Sequence, residues 1–167
     1  MKKILVSALI AVMVGATLTG CGNKNTGNPS STEQGSEQTS SVSAKEVVEK
    51  LSEENYFMMP TMVDDQMASD IYHLNLDDIV DYGIVIPGVS AQQDVIAVVK
   101  AKDGKTDAVK ASLEEYVKDL VAGHLYPEYM EAAQNAEIEV NGDLVSLFIV
   151  NSEIKNDVET KYAELIK

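Results

Sequence analysis

"AEIEVNGDLVSLFIV", residues 136–150, decides the fold. Two β-rich runs flank Asn141-Gly142, and Asn-Gly between such runs is the strongest short-range hairpin signal, because both residues tolerate the positive φ of a two-residue turn. The first run alternates, Ile138 and Val140 against Glu137 and Glu139, as a half-wet strand does. The second, Leu144 to Val150, is apolar nearly throughout, which predicts a central strand covered on both sides or at its end. Past Ser152 the period changes. Ile154, Val158, Tyr162 and Leu165 share one helical face, and residues 152–167 close as a helix.

The same reading extends upstream. "VDYGIVIPG" (80–88) is a β-branched run stopped by Pro-Gly, and "DVIAVVKAKDG" (94–104) is a second strand closed by Asp103-Gly104. Between them and the hairpin, "TDAVKASLEEYVKDLVAGH" (106–124) is the clearest helix, with Thr106 as its N-cap, Asp107 at its positive end and Gly123 at C′. Residues 126–135 form a short helix or turn entered through Pro127. At the front, 43–54 carries a Ser43/Glu46 capping box before the stripe Val47, Val48, Leu51. Residues 61–75 form a shorter helix on Met67, Ile71 and Leu74. The order ααββαββα implies an α+β domain: a mainly antiparallel four-stranded sheet with helices packed on one face.

Three segments of different composition precede and include this domain. Residues 1–20 open with Lys2-Lys3 and run uncharged from Ile4 to Thr19, the pattern of a secretory signal. Leu18-Thr19-Gly20-Cys21 then resembles the lipobox of bacterial lipoproteins, which implies a diacylglyceryl group on the Cys21 thiol and cleavage between Gly20 and Cys21. The apolar run is slightly short for a helix spanning ~30 Å of hydrocarbon. Cys21 is the sole cysteine of the 167 residues, so no intrachain disulfide forms. Residues 21–43 hold the lipidated cysteine and a Ser/Thr/Gly/Asn linker whose one apolar side chain after the cysteine is Val42, a composition that cannot offset its own ordering entropy. Residues 44–167 form the folded domain.

That domain carries ten lysines, no arginine and 25 carboxylates, a formal charge of −15. Nucleic acid is excluded as a partner, since phosphate neutralisation needs clustered Lys and Arg. Docking of the domain on anionic lipid is excluded for the same reason. The expected attachment to the membrane is through the lipid on Cys21 alone, on the outer face of the cytoplasmic membrane.

The segment "IPGVSAQQDVIAVVKAKDGKTDAVKASLEEYV", with the later "NGDLVSLFIV", resembles the family called domain of unknown function 4358 over roughly residues 75–155. These are small predicted lipoproteins of Firmicutes, mostly Clostridia. The resemblance implies a lipoprotein in a Gram-positive envelope and a constant fold. It carries no activity and no catalytic residue.

Direct signs of chemistry are few. There is no P-loop, GxGxxG, HExxH, CxxC or G-x-S-x-G. His73, near Asp70 and Asp77, and His124 lack the partners of a hydrolytic site. "FMMPTM" gathers Met58, Met59 and Met62 ahead of Met67, a set of soft thioethers that suits Cu(I), though packing is the expected role. Six aspartates between 64 and 81 lack the EF-hand spacing. No cofactor, metal site or catalytic residue is expected. The function expected is a non-enzymatic binding module for a protein or envelope component. Its contact surface is Asp64, Asp65, Met67, Tyr72, Asp77 and Asp78, because Tyr and Met favour interface cores and acidic rims steer partners. The alternative is an envelope enzyme or a small-ligand or cation receptor with its site around residues 57–81.

Overall fold

The computed structural model describes residues 41–123 and 125–167. Gly20, Cys21, most of the linker and His124 lie outside the described residues.

Ser43 N-caps the first helix, α1 (Ala44–Ser52), its side chain accepting from the Glu46 N–H at 3.3 Å. A short strand, β1 (Pro60–Met62), precedes α2 (Asp65–Asp70). A 3₁₀ turn (Leu76–Asp78) leads into β2 (Ile79–Pro87), and β3 (Val95–Ala101) returns beside it. Two helices follow, α3 (Thr106–Ala122) and α4 (Pro127–Gln134). The hairpin is β4 (Ile138–Asn141) and β5 (Leu144–Ile149), and α5 (Ser152–Leu165) ends the domain. The strands form one antiparallel sheet in the order β1-β2-β3-β5-β4.

The class is α+β, with two departures from the sequence expectation. Among the described residues the sheet has five strands, the extra one being β1. Helices cover both faces, not one. Alternation along β3 shows why. Val95, Ala97 and Val99 enter one core with Val109 and Leu113 of α3, while Ile96 and Val98 enter another with Val47, Val48 and Leu51 of α1. β5 divides likewise, Val145, Leu147 and Ile149 against Leu144 and Phe148, so the expectation of a doubly covered central strand holds. A strand with no polar face must be covered twice, and each side chain so buried contributes about 1.5–3 kcal/mol.

Details at the element ends also differ. Lys105 occupies the α3 N-cap without a side-chain hydrogen bond, and Thr106 is already helical. Gly123 at the other end has φ −82°, so it ends α3 without the left-handed conformation expected of it. The hairpin loop is Gly142-Asp143, because Asn141 pairs with Leu144. Gly142 takes φ 62° at the first loop position, where a II′ turn places glycine. The helix expected over 61–75 shrinks to Asp65–Asp70. Ile71 becomes its exposed C-cap, and His73 turns the chain at φ 57°.

Candidate functional site

β1 is only three residues long, and this shortness makes the site. It pairs with Val85, Ile86 and Pro87 of β2, and the Val63 N–H adds a last bond to the Ile84 carbonyl at 2.9 Å. The chain then leaves the sheet plane, because Asp64 starts α2 by accepting from the Met67 N–H at 2.8 Å. Beyond Ile84 no strand among the described residues pairs with the β2 edge. A cleft of about 790 Å³ lies there, with Met62, Val63, Leu76, Ile79 and Val80 as its apolar lining and Asp64, Asp65, Asp81, Tyr82 and Lys45 among its polar residues. Val80 is the extra residue of a β-bulge and is 60% exposed.

The polar groups of the cleft are tied to its walls. The Tyr82 hydroxyl donates to Asp65 Oδ1 at 2.7 Å, joining sheet to α2. Burial first, then that carboxylate, holds the Tyr82 phenol above the usual tyrosine range. Asp81 gathers the α1 N-terminus: the Ser43 hydroxyl donates to Oδ2 at 2.5 Å, and the Ala44 N–H to Oδ1 at 3.3 Å. Asp64 caps α2. The arrangement is a fixed, acid-rimmed, apolar-floored surface.

The expected contact residues separate. Asp64 and Asp65 line the cleft, while Asp77 and Asp78 stand on the neighbouring 3₁₀ turn. Asp78 pairs with Lys105 at 2.8 Å, and that ammonium holds its carboxyl below the usual range. Met67 is half-buried and packs on the α3 core. Tyr72 is a core residue, 2% exposed, with its ring 4.3 Å from that of Tyr116. Burial raises both phenols, that of Tyr116 to about 12. His73 bonds Asp119 at 3.1 Å across to α3. The methionine run does not pack as expected, since Met58 and Met59 are 66% and 71% exposed. Met59 sits at φ 53°, and its carbonyl accepts from the Gly88 N–H at 2.9 Å. Among the described residues no three His, Cys, Asp or Glu side chains gather to hold a metal ion. No helix among them is long and apolar enough to cross a membrane.

Three adjacent polar residues, absent from the sequence expectations, organise the opposite end of the sheet. Gln92 accepts from the Met58 N–H at 2.9 Å and donates to the Tyr56 carbonyl at 3.0 Å. Gln93 accepts from the Tyr126 N–H at 3.0 Å. Asp94 accepts from the Asn151 N–H at 2.9 Å and so fixes the start of α5. Asp94 is 1% exposed, and burial raises its carboxyl above the ordinary range. The signal for such a clasp was the run Gln-Gln-Asp at the mouth of an apolar strand. Tyr82 and Lys45 left no such signal, being brought to the cleft by tertiary folding alone, while Asp81 stood in the acidic run without showing its tie to α1.

No curated protein and no solved structure matches the chain. The sequence model of the family described as Domain of unknown function (DUF4358) matches residues 52–150, from the end of α1 through β5, and so covers all five described strands and every cleft residue named except Lys45. The chain belongs to the DUF4358 family, and its cleft is built largely within the family's shared segment.

Proposed function

We propose that this protein is a lipoprotein held outside the cytoplasmic membrane by a lipid on Cys21, and that its domain binds a basic protein or envelope component at the cleft beside β2. The observation that carries the binding reading is the cleft itself: carboxylates on a rigid rim around an apolar floor. Such a surface favours a cationic ligand with an apolar side chain to bury. Catalysis is the weaker reading, because the rim acids Asp64 and Asp65 are exposed and already bonded to the fold. The anchor reading is supported by Leu18-Thr19-Gly20-Cys21 after an apolar run.

The test is crosslinking in the native cell, comparing wild type with an Asp64→Asn, Asp65→Asn, Asp77→Asn variant. The variant is expected to associate more slowly with the captured partner, most of the loss appearing at low salt. Equal capture rates at every salt concentration would sink the reading and leave the acids as a solvated face.

A further inference from the structure

We infer that the open edge of β2 receives an extended basic peptide segment as an added strand. This deepens, and rests on, the reading of the cleft as a binding site for a basic partner. The backbone argument comes first. In an antiparallel ladder alternate residues point their N–H and C=O groups to the same neighbour. Ile84 turns toward the β1 side, as its bond from the Val63 N–H shows, so Tyr82 turns the same way. Among the described residues no strand pairs with β2 on that side before Ile84, and both Tyr82 and Val80 line the cleft. Asp81 to Gly83 therefore offer roughly 10 Å of regular strand edge at ~3.4 Å per residue, between the bond at Ile84 and the bulge at Val80.

A natural edge is usually blunted by charge, proline, a bulge or a cover. β1 itself uses Pro60. The β2 edge has its bulge at Val80, outside the Tyr82 position, and its walls stand apart and hold a cleft of about 790 Å³. The α2 wall presents Asp64 and Asp65, and the α1 wall presents Lys45. An incoming strand alternates its side chains between these walls. Basic side chains on the α2 side meet the two aspartates, with Val63 and Leu76 beside them, while apolar ones on the α1 side reach Met62, the pairing partner of Val85. Main-chain bonds supply affinity in such strand addition, and side-chain pockets supply the choice of sequence.

The experiment uses ¹⁵N-labelled full-length chain and a synthetic alternating Lys-Val octapeptide as probe. Saturable binding with amide shifts centred on Tyr82 is expected. A second octapeptide, N-methylated at alternate residues on its sheet-bonding edge, keeps charge and side chains but cannot donate to the strand edge. It should bind roughly tenfold or more weakly. Equal binding of the two peptides overturns strand addition while sparing the acidic-cleft reading. That reading falls separately, if Asp64→Asn, Asp65→Asn leaves affinity unchanged from low salt up to about 1 M, where the Debye length is about 3 Å. No binding by the unmethylated peptide overturns strand addition. So does the finding that deleting residues 22–40 shifts the same amides in the free protein, for then the chain's own tether occupies the edge.

Discussion

Replacing Gly83 by alanine tests how α1 sits on the sheet beside the cleft. A Cβ at Gly83 would stand 2.7 Å from Val48 Cβ, 2.9 Å from Val48 Cγ2 and 3.0 Å from the Ala44 carbonyl oxygen. Carbon contacts are optimal near 3.5–4.0 Å, so the methyl arrives about 1 Å too close. None of these neighbours is the far end of a flexible chain. Val48 and Ala44 are fully buried, and the Ala44 N–H is bound to Asp81. The helix must therefore retreat as a body, taking Val47 and Leu51 with it. Overpacking of this kind costs about 1–3 kcal/mol, against roughly 0.5–1 kcal/mol regained from removing a strand glycine. The expected net loss is about 1 kcal/mol, or about 4 °C in Tm for a domain of this size. Chemical denaturation followed by far-UV circular dichroism measures it. The same clash predicts coupling. Val48→Gly alone leaves a cavity, but Val48→Gly with Gly83→Ala should be more stable than the sum of the two changes by about 2 kcal/mol. A Gly83→Ala protein as stable as wild type, or strictly additive changes, would refute the close approach of α1.

Three further outcomes are expected. Cys21→Ser should move the protein from the membrane fraction to the medium and remove the acyl mass from its N-terminus; unchanged fractionation would end the anchor reading. Asp94→Asn should change the pH dependence of stability: a raised carboxyl binds its proton more tightly in the folded state, so the wild type loses stability as pH rises from about 4, and the variant should lack that fall when melting is followed across pH. Tyr82→Phe removes the bond to Asp65 at a half-exposed position, and should cost about 0.5–1 kcal/mol and speed amide exchange in α2 while leaving that of β5 unchanged.

The parts of the fold that sequence made legible are those with a local cause. α3 repeats its apolar residues at the helical period, and β3 and β5 are short unbroken apolar, β-rich runs bounded by turn residues, so each is legible within a few residues of its ends. β1 has no local cause. Pro60, Thr61 and Met62 are all exposed and show no alternation, and only pairing with Pro87, Ile86 and Val85 makes them a strand. The overlong second helix fails for a related reason. Met67, Ile71 and Leu74 keep helical spacing, but the Leu74 N–H bonds the Ala68 carbonyl around a left-handed His73, which carries Leu74 into the core and leaves Ile71 in solvent. Asp64 and Asp65 stood out by charge, yet their setting depends on Asp81 and Tyr82, which join them only when β2 folds back along α2. Tyr72 was placed on the surface by composition and is buried against Tyr116, since an aromatic in an acidic stretch does not show which way it faces.

The cleft and the chain entry share one end of the sheet. Lys100 Nζ donates to the Val42 carbonyl at 3.1 Å, and Ser43 bonds Asp81, which lines the cleft. Met58, Met59 and Tyr126 belong to the loops of the opposite end. If Cys21 carries the lipid as proposed, the 19 residues from 22 to 40, whose Ser/Thr/Gly/Asn composition is that of a linker, would reach roughly 25 Å and keep the cleft near the bilayer. That reach favours a partner itself bound to the membrane over one diffusing outside it, and the two can be separated. Doubling the linker with Gly and Ser leaves the cleft untouched, so affinity for the Lys-Val peptide should not change. Capture of a membrane-bound partner in the cell should fall roughly threefold, because effective concentration declines as about the −3/2 power of tether length. Capture of a freely diffusing partner should stay constant. Constant capture with the longer linker would thus place the partner outside the membrane and remove any role for the shared end of the sheet.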